Sequence, residues 1–300
     1  MLITSLVQEF LFDCKVRELS DLTVNNYRKQ LGYFASFVTE TFFIEHLEEL
    51  KPQHIKEFVS SLQDRGCKPS YTNDLLKAVR VMCGYAFREE YTSTLLTKRI
   101  KNVKEPKVLI HTFSNKEILK MVKYYDKNDY MSIRNRMIIM LLFDTGIRVS
   151  ELMNMKPDQI QENYIVVYGK GRKERVVPRN PMVSKWLMKY MAARDKYFAC
   201  RVSQDYLFLS KNGKKLTTEA VNKLLKVAAE AVGVNPVVRV SPHTCRHTFA
   251  HQQLKNGLDL YSLSRLLGHE SVAITQRYLE AIRDSQVLTS ARQTSVLANL

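Results

Sequence analysis

Ser241–Leu279 reads SPHTCRHTFAHQQLKNGLDLYSLSRLLGHESVAITQRYL, and its pattern is helical. Pro242 suits the first turn of a helix and Ser241 its cap. His243 and Arg246 stand three apart and share a helix face. Gly268 is placed to stop a second helix carrying Leu263, Leu266 and Leu267. His269 follows that stop directly, and Tyr278 falls nine residues on, in a further short helix. A guanidinium near a helix N-terminus suits a phosphate oxygen. The histidines at 243, 247 and 251 also raise a zinc reading, which helix geometry opposes. At a rise of 1.5 Å per residue His243 and His251 lie about 12 Å apart. No carboxylate stands between His243 and His247, and Arg246 would repel a cation. We expect no metal and no cofactor, with His247 and His251 in packing or polar contacts.

Outward from this stretch, Arg148 lies in TGIRVSEL and Lys170 in YGKGRKERVVP. Arg134–Phe143 is strongly apolar and reads as a helix ending near Gly146. The β-branched runs Tyr164–Tyr168 and Arg175–Val177 flank Gly169-Lys170-Gly171, which predicts a hairpin. Ser114 can cap the helix that follows it, with Glu117 completing a capping box. Lys101–Phe113 has no clean periodicity and holds Pro106, as a linker would. The first hundred residues predict four helices in an antiparallel-bundle pattern. Leu2, Leu6, Phe10 and Leu11 mark the first. Ser20 or Asp21 caps a second that holds Val24, Tyr27 and Leu31 and runs on to Phe34, Phe37 and Val38. Pro52 starts a third, with Ile55, Phe58 and Leu62, and Gly66 stops it. Ser70 opens the fourth, with Leu75, Leu76, Val79 and Met82. The fold class is therefore mainly α with a small β-sheet in the second domain. The expected domains are 1–105 and 114–300, joined by a linker at 106–113.

Charge separates the two parts. The chain carries 46 Lys and Arg against 30 Asp and Glu, a net +16. Residues 1–105 hold 15 basic and 14 acidic groups, whereas 106–300 hold 31 and 16. A basic domain beside a near-neutral one suits a polyanionic partner. The five cysteines are scattered with no CxxC pair, as expected of reduced thiols in a cytoplasmic protein. The N-terminus mixes apolar and charged residues, unlike a signal peptide. No run approaches the roughly 20 apolar residues of a membrane span.

TGIRVSEL, the GKG turn, HTCRHTFA, LLGHES and TQRYLE, in this order and at these separations, resemble the tyrosine recombinase (phage integrase) family, in its two-domain, Xer-like form. The resemblance covers essentially the whole chain. It implies a helical core-binding domain at 1–105 and a catalytic domain at 114–300, with a tail from about 279, that together clamp double-stranded DNA. It implies that Arg148 and Arg246 bind the nonbridging oxygens of the scissile phosphate. Tyr278 would attack phosphorus and form a 3′-phosphotyrosyl link. Lys170 would protonate the departing 5′-hydroxyl, His243 would help accept the tyrosine proton, and His269 would hydrogen-bond the phosphate. Arg172, Lys173 and Arg175 are rivals to Lys170 as the acid; the GKG position favours Lys170, and the others are expected to touch phosphates. Cys245 stands where the family usually has an apolar residue.

These roles make chemical sense. A tyrosine with a pKa of about 10 needs a base and nearby positive charge to act near neutrality. Fixed arginines stabilise charge developing on the phosphate oxygens without exchanging protons. The expected partners are recombination sites on duplex DNA, further protomers of this chain or of a related recombinase in a tetramer, and accessory DNA-bending proteins. The reaction would pass through a Holliday junction, either for mobile-element integration and excision or for Xer-type dimer resolution. A tail bearing Ile282, Val287, Leu288, Val296 and Leu297 suits docking on a neighbouring subunit. Two alternatives share the same residues: a type IB topoisomerase-like cleaving and rejoining enzyme, and a DNA-binding module without catalysis.

Overall fold

Proline, serine and glycine set most element boundaries in the computed structural model, which describes residues 1–106, 110–169 and 173–276. Contacts divide the chain into two units, Met1–Lys107 and Val108–Leu300.

In the first unit, four helices follow the apolar spacing: α1 (Ile3–Val16), α2 (Asp21–Phe42), α3 (Pro52–Asp64) and α4 (Pro69–Arg88). Ser20 caps α2, its Oγ accepting from the Thr23 amide at 3.3 Å. Gly66 follows α3 with φ +72°, the left-handed conformation that glycine adopts without Cβ strain. The fourth helix corrects one expectation, because Ser70 does not open it. Pro69 takes the first helical position and Ser70 lies inside the turn. Proline's φ is already helical, and the amide it lacks would have had no partner there. Phe10, Phe34, Phe58, Leu31, Leu76 and Met82 are fully buried between the helices, with Phe34 and Phe58 edge to face at 5.1 Å. Each such side chain contributes about 1.5–3 kcal/mol on burial.

The start of the segment expected to be linker is held to α4. Asn73 Nδ2 donates to Val103 O at 2.9 Å and to Glu105 Oε1 at 2.7 Å, while its Oδ1 accepts from Val103 N at 2.9 Å. Two turns on, Arg80 Nη2 donates to Ile100 O at 2.7 Å.

The second unit is built on α6 (Tyr130–Thr145), buried on nearly every side. Before it comes α5 (Asn115–Tyr124), opened by the expected capping box. Ser114 Oγ accepts from Glu117 N at 3.3 Å, and Glu117 Oε2 accepts from Ser114 N at 2.8 Å. After it come α7 (Val149–Asn154) and an antiparallel hairpin of β1 (Tyr164–Tyr168) and β2 (Glu174–Pro178), in register at Val166–Val176. Then follow α8 (Pro181–Phe198), α9 (Thr218–Val232), α10 (Pro242–Lys255), α11 (Leu260–Leu267) and α12 (Val272–Gln276). The α6 helix packs on α8 and α10. The core joins Met137, Ile138, Leu141 and Leu142 to Ile165, Val167 and Val177 from one hairpin face and to Phe208 and Cys245. Among the described residues no helix is long and apolar enough to cross a membrane.

Candidate active site

The site begins where α6 stops. Gly146 has φ +59°, and a Cβ there would meet Phe249 Cγ at 2.9 Å and Leu267 Cδ2 at 3.1 Å. Only glycine fits both the backbone and the space. The turn delivers Arg148 to the residue preceding α7. Its amide donates to Glu151 Oε2 at 2.7 Å, its Nη1 to Glu151 Oε1 at 2.9 Å and its Nη2 to Gly268 O at 3.2 Å.

Arg246 reaches the same place from α10. Ser241 caps that helix through the Thr244 amide at 3.1 Å. Arg246, one turn in, is only 5% exposed. Its Nη1 donates to Gly146 O and its Nη2 to Leu267 O, both at 2.7 Å. Leu267 and Gly268 are consecutive, so their carbonyls bring the two guanidinium heads together at the end of α11. His269 is next in the chain. Its Nε2 lies 2.9 Å from Arg246 Nη2 and its Nδ1 lies 2.7 Å from Thr275 Oγ1. A guanidinium only donates, so in this contact the ring nitrogen is the acceptor. His243, exposed on the first turn of α10, lines the same open cleft of about 1370 Å³ as Arg148, Arg246 and His269.

Four of the six expected residues, Arg148, His243, Arg246 and His269, thus share one cleft. Lys170 and Tyr278 lie outside the described residues, as do Arg172 and the tail. Their neighbours are placed: Gly169 lines the cleft, and its amide closes the hairpin turn onto Lys173 O at 2.8 Å.

Arg175 departs from expectation. It is bound to protein rather than free for phosphate. Nη1 and Nη2 donate to Glu151 Oε1 and Oε2 at 2.9 and 2.8 Å, and Nε donates to Leu266 O at 2.8 Å. Glu151 is the residue the sequence reading missed. Its position three after Arg148 matches the capping-box spacing, a signal that was available, but its partner Arg175 is 24 residues away. Burial raises the Glu151 pKa, yet the hydrogen bonds and charge of Arg175, with those of Arg148, outweigh it and hold the carboxyl below its ordinary range. Lys173 is exposed, with its ammonium 3.9 Å from Glu270. Cys245 is fully buried, and burial pushes its thiol far up, so it remains a small neutral core side chain beside Arg246. Among the described residues no group of three His, Cys, Asp or Glu is arranged to hold a metal ion.

Comparison with known proteins extends this picture along the chain. Residues 111–283 match the phage integrase family and residues 6–93 the phage integrase N-terminal SAM-like domain. The tyrosine recombinase XerD of Staphylococcus aureus is 30% identical over 277 residues, covering 91% of this chain and 93% of that protein. Among solved structures, the XerH site-specific recombinase in a post-cleavage complex with its palindromic difH substrate superposes with a TM-score of 0.76 at 23% identity, covering 96% of this chain and 84% of the other. A lambda integrase tetramer bound to a Holliday junction superposes at 0.70 with 18% identity, covering 95% and 78%. At these identities the two structures speak for the fold.

Proposed function

We propose residue roles on the premise that this chain belongs to the phage integrase family and is a site-specific tyrosine recombinase. Arg148 and Arg246 hold the nonbridging oxygens of a scissile phosphate in duplex DNA. One arrangement carries this reading: two guanidinium heads anchored on the consecutive carbonyls of Leu267 and Gly268, beside His269, in an open cleft. Donors fixed in advance stabilise a pentavalent phosphorus without reorganising as charge develops.

Tyr278 attacks the phosphorus, and the bond to the 5′-oxygen breaks. The tyrosine proton passes toward His243, and Lys170 gives a proton to the leaving 5′-hydroxyl. The phosphotyrosyl ester conserves the bond, so a 5′-hydroxyl from another strand reverses the chemistry without an energy cofactor. His269, beside Arg246, hydrogen-bonds the phosphate.

The 1–105 domain grips DNA alongside the 114–300 catalytic domain. Four protomers, of this chain or with a related recombinase, join two duplex sites and exchange two strands at a time through a Holliday junction. The protein works in the cytoplasm, where accessory DNA-bending proteins can assist it. The test is covalent capture. Wild-type protein is incubated with genomic DNA of its host, denatured, and the DNA that stays attached is sequenced. A single recurrent site bonded at Tyr278 is expected, and Tyr278→Phe should bind the same DNA without any adduct. An adduct in Tyr278→Phe equal to wild type overturns the assignment of the nucleophile.

A further inference from the structure

We propose that Arg175 is a positioning residue for the phosphate clamp: by occupying Glu151 it keeps the Arg148 guanidinium available to DNA. The inference rests on the reading above, in which Arg148 is a phosphate ligand. Arg175 itself is poorly placed for that task. All three of its guanidinium nitrogens donate to protein, and its side chain is 10% exposed.

What it does is fill Glu151. A carboxylate offers about four lone-pair sites. Glu151 accepts four hydrogen bonds, two from Arg175 and two from the amide and Nη1 of Arg148. Arg148 therefore gives the carboxylate a single side-chain nitrogen. Its Nη2 goes to Gly268 O at 3.2 Å, and the side chain is 36% exposed. Of five N–H donors on a guanidinium, about three remain for a phosphate. An arginine and a carboxylate left to themselves close fork to fork with two parallel bonds. Arg175 occupies the fork on Glu151. Without it the carboxylate is free to take Arg148 in that bidentate grip, and the local balance drops from two positive charges against one negative to an even pair.

The surroundings hold Arg175 in this role. Its Cδ fills the space beside Gly268, where a Cβ would lie 2.9 Å away. On the other side is Gly169, whose ideal Cβ would sit 3.7 Å from Glu151 Oε1 and 3.9 Å from Arg175 Nη1. One guanidinium thus ties β2 to Glu151 at the start of α7, beside Arg148, and to the end of α11, whose next two carbonyls hold Arg246 and Arg148.

The experiment uses the full chain on a nicked duplex carrying the captured site. It measures phosphotyrosyl formation in a single turnover at saturating DNA, and the DNA Kd separately. Arg175→Met should slow cleavage by about 10-fold or more while shifting Kd by less than about 3-fold, the pattern of a lost transition-state contact. With Glu151→Gln in place, adding Arg175→Met should change cleavage by less than about 3-fold, because contacting residues are non-additive when one acts through the other. That pair decides the matter even if Arg175→Met alone fails to fold, since glutamine leaves no unpaired carboxylate buried. A 10-fold drop in the Glu151→Gln background, or a matching loss of DNA affinity, overturns the proposal and makes Arg175 a direct DNA contact or a purely structural tie. Wild-type protein that forms no adduct overturns the recombinase reading and this inference with it; wild type that cleaves while Arg175→Met cleaves equally well overturns the inference alone.

Discussion

Gly146 serves two purposes at one residue. Its left-handed φ allows α6 to end, and its carbonyl receives Arg246 Nη1 at 2.7 Å. Gly146→Ala adds a strained φ and forces a methyl against Phe249 and Leu267. We expect a loss of about 2–4 kcal/mol in urea unfolding of the second unit, and a larger fractional loss of cleavage than of DNA binding. An unchanged unfolding midpoint would refute the packing account. Gly146 and Gly268 were legible as stops because each ends an apolar run, and Arg148, His243, Arg246 and His269 stand in motifs that are compact in sequence. The Glu151–Arg175 pair was not legible as a pair. A basic residue on a hairpin looks the same from the sequence whether it faces a phosphate or a carboxylate, and only tertiary pairing decides.

At the scale of elements, local chemistry predicted most boundaries. Ser20, Pro52, Ser114 and Ser241 each act as read. Ser70 did not, because the proline before it competes for the same turn and needs no amide partner. The helix Pro181–Phe198 was not singled out: its Met and Lys residues blur the apolar stripe, although Asn180 caps it and Pro181 opens it. The capping box of α5 also extends beyond its own helix. Glu117 Oε1 accepts from Asn235 N at 2.8 Å, tying the start of α5 to the loop after α9. Burial raises the Glu117 pKa, but the amides of Asn235 and Ser114 and the Ser114 hydroxyl outweigh it and lower the net value. A carboxyl held below its unfolded value stabilises the fold above about pH 4.3, and that contribution fades as pH falls through the folded value. Glu117→Gln should therefore lower the second unit's stability more at pH 7 than at pH 3. Equal losses at both pH values would show that the charge plays no part.

Across the molecule, an uneven charge sets the expectation for DNA binding. The basic excess lies in residues 106–300, with 31 basic against 16 acidic groups, while 1–105 is close to neutral. Non-specific affinity for duplex DNA should fall linearly in log–log fashion with salt, with a slope near −0.9 per phosphate neutralised. Charge-reversal at basic surface positions of 106–300 should flatten that slope more than the same number of reversals in 1–105. Equal flattening, measured by salt titration of the full chain, would locate the electrostatic footprint differently. A separate consequence follows from how Arg246 is held. Two of its anchors are main-chain oxygens, of Gly146 and Leu267, and no codon change deletes a carbonyl. Side chains that read bases can then be varied while the reactive centre keeps its charge in place. In a laboratory selection for new target sites, side chains away from the cleft are the ones to vary, while the clamp residues Arg148, Glu151, Arg175, His243, Arg246 and His269 and the turns at 146 and 267–268 are left alone.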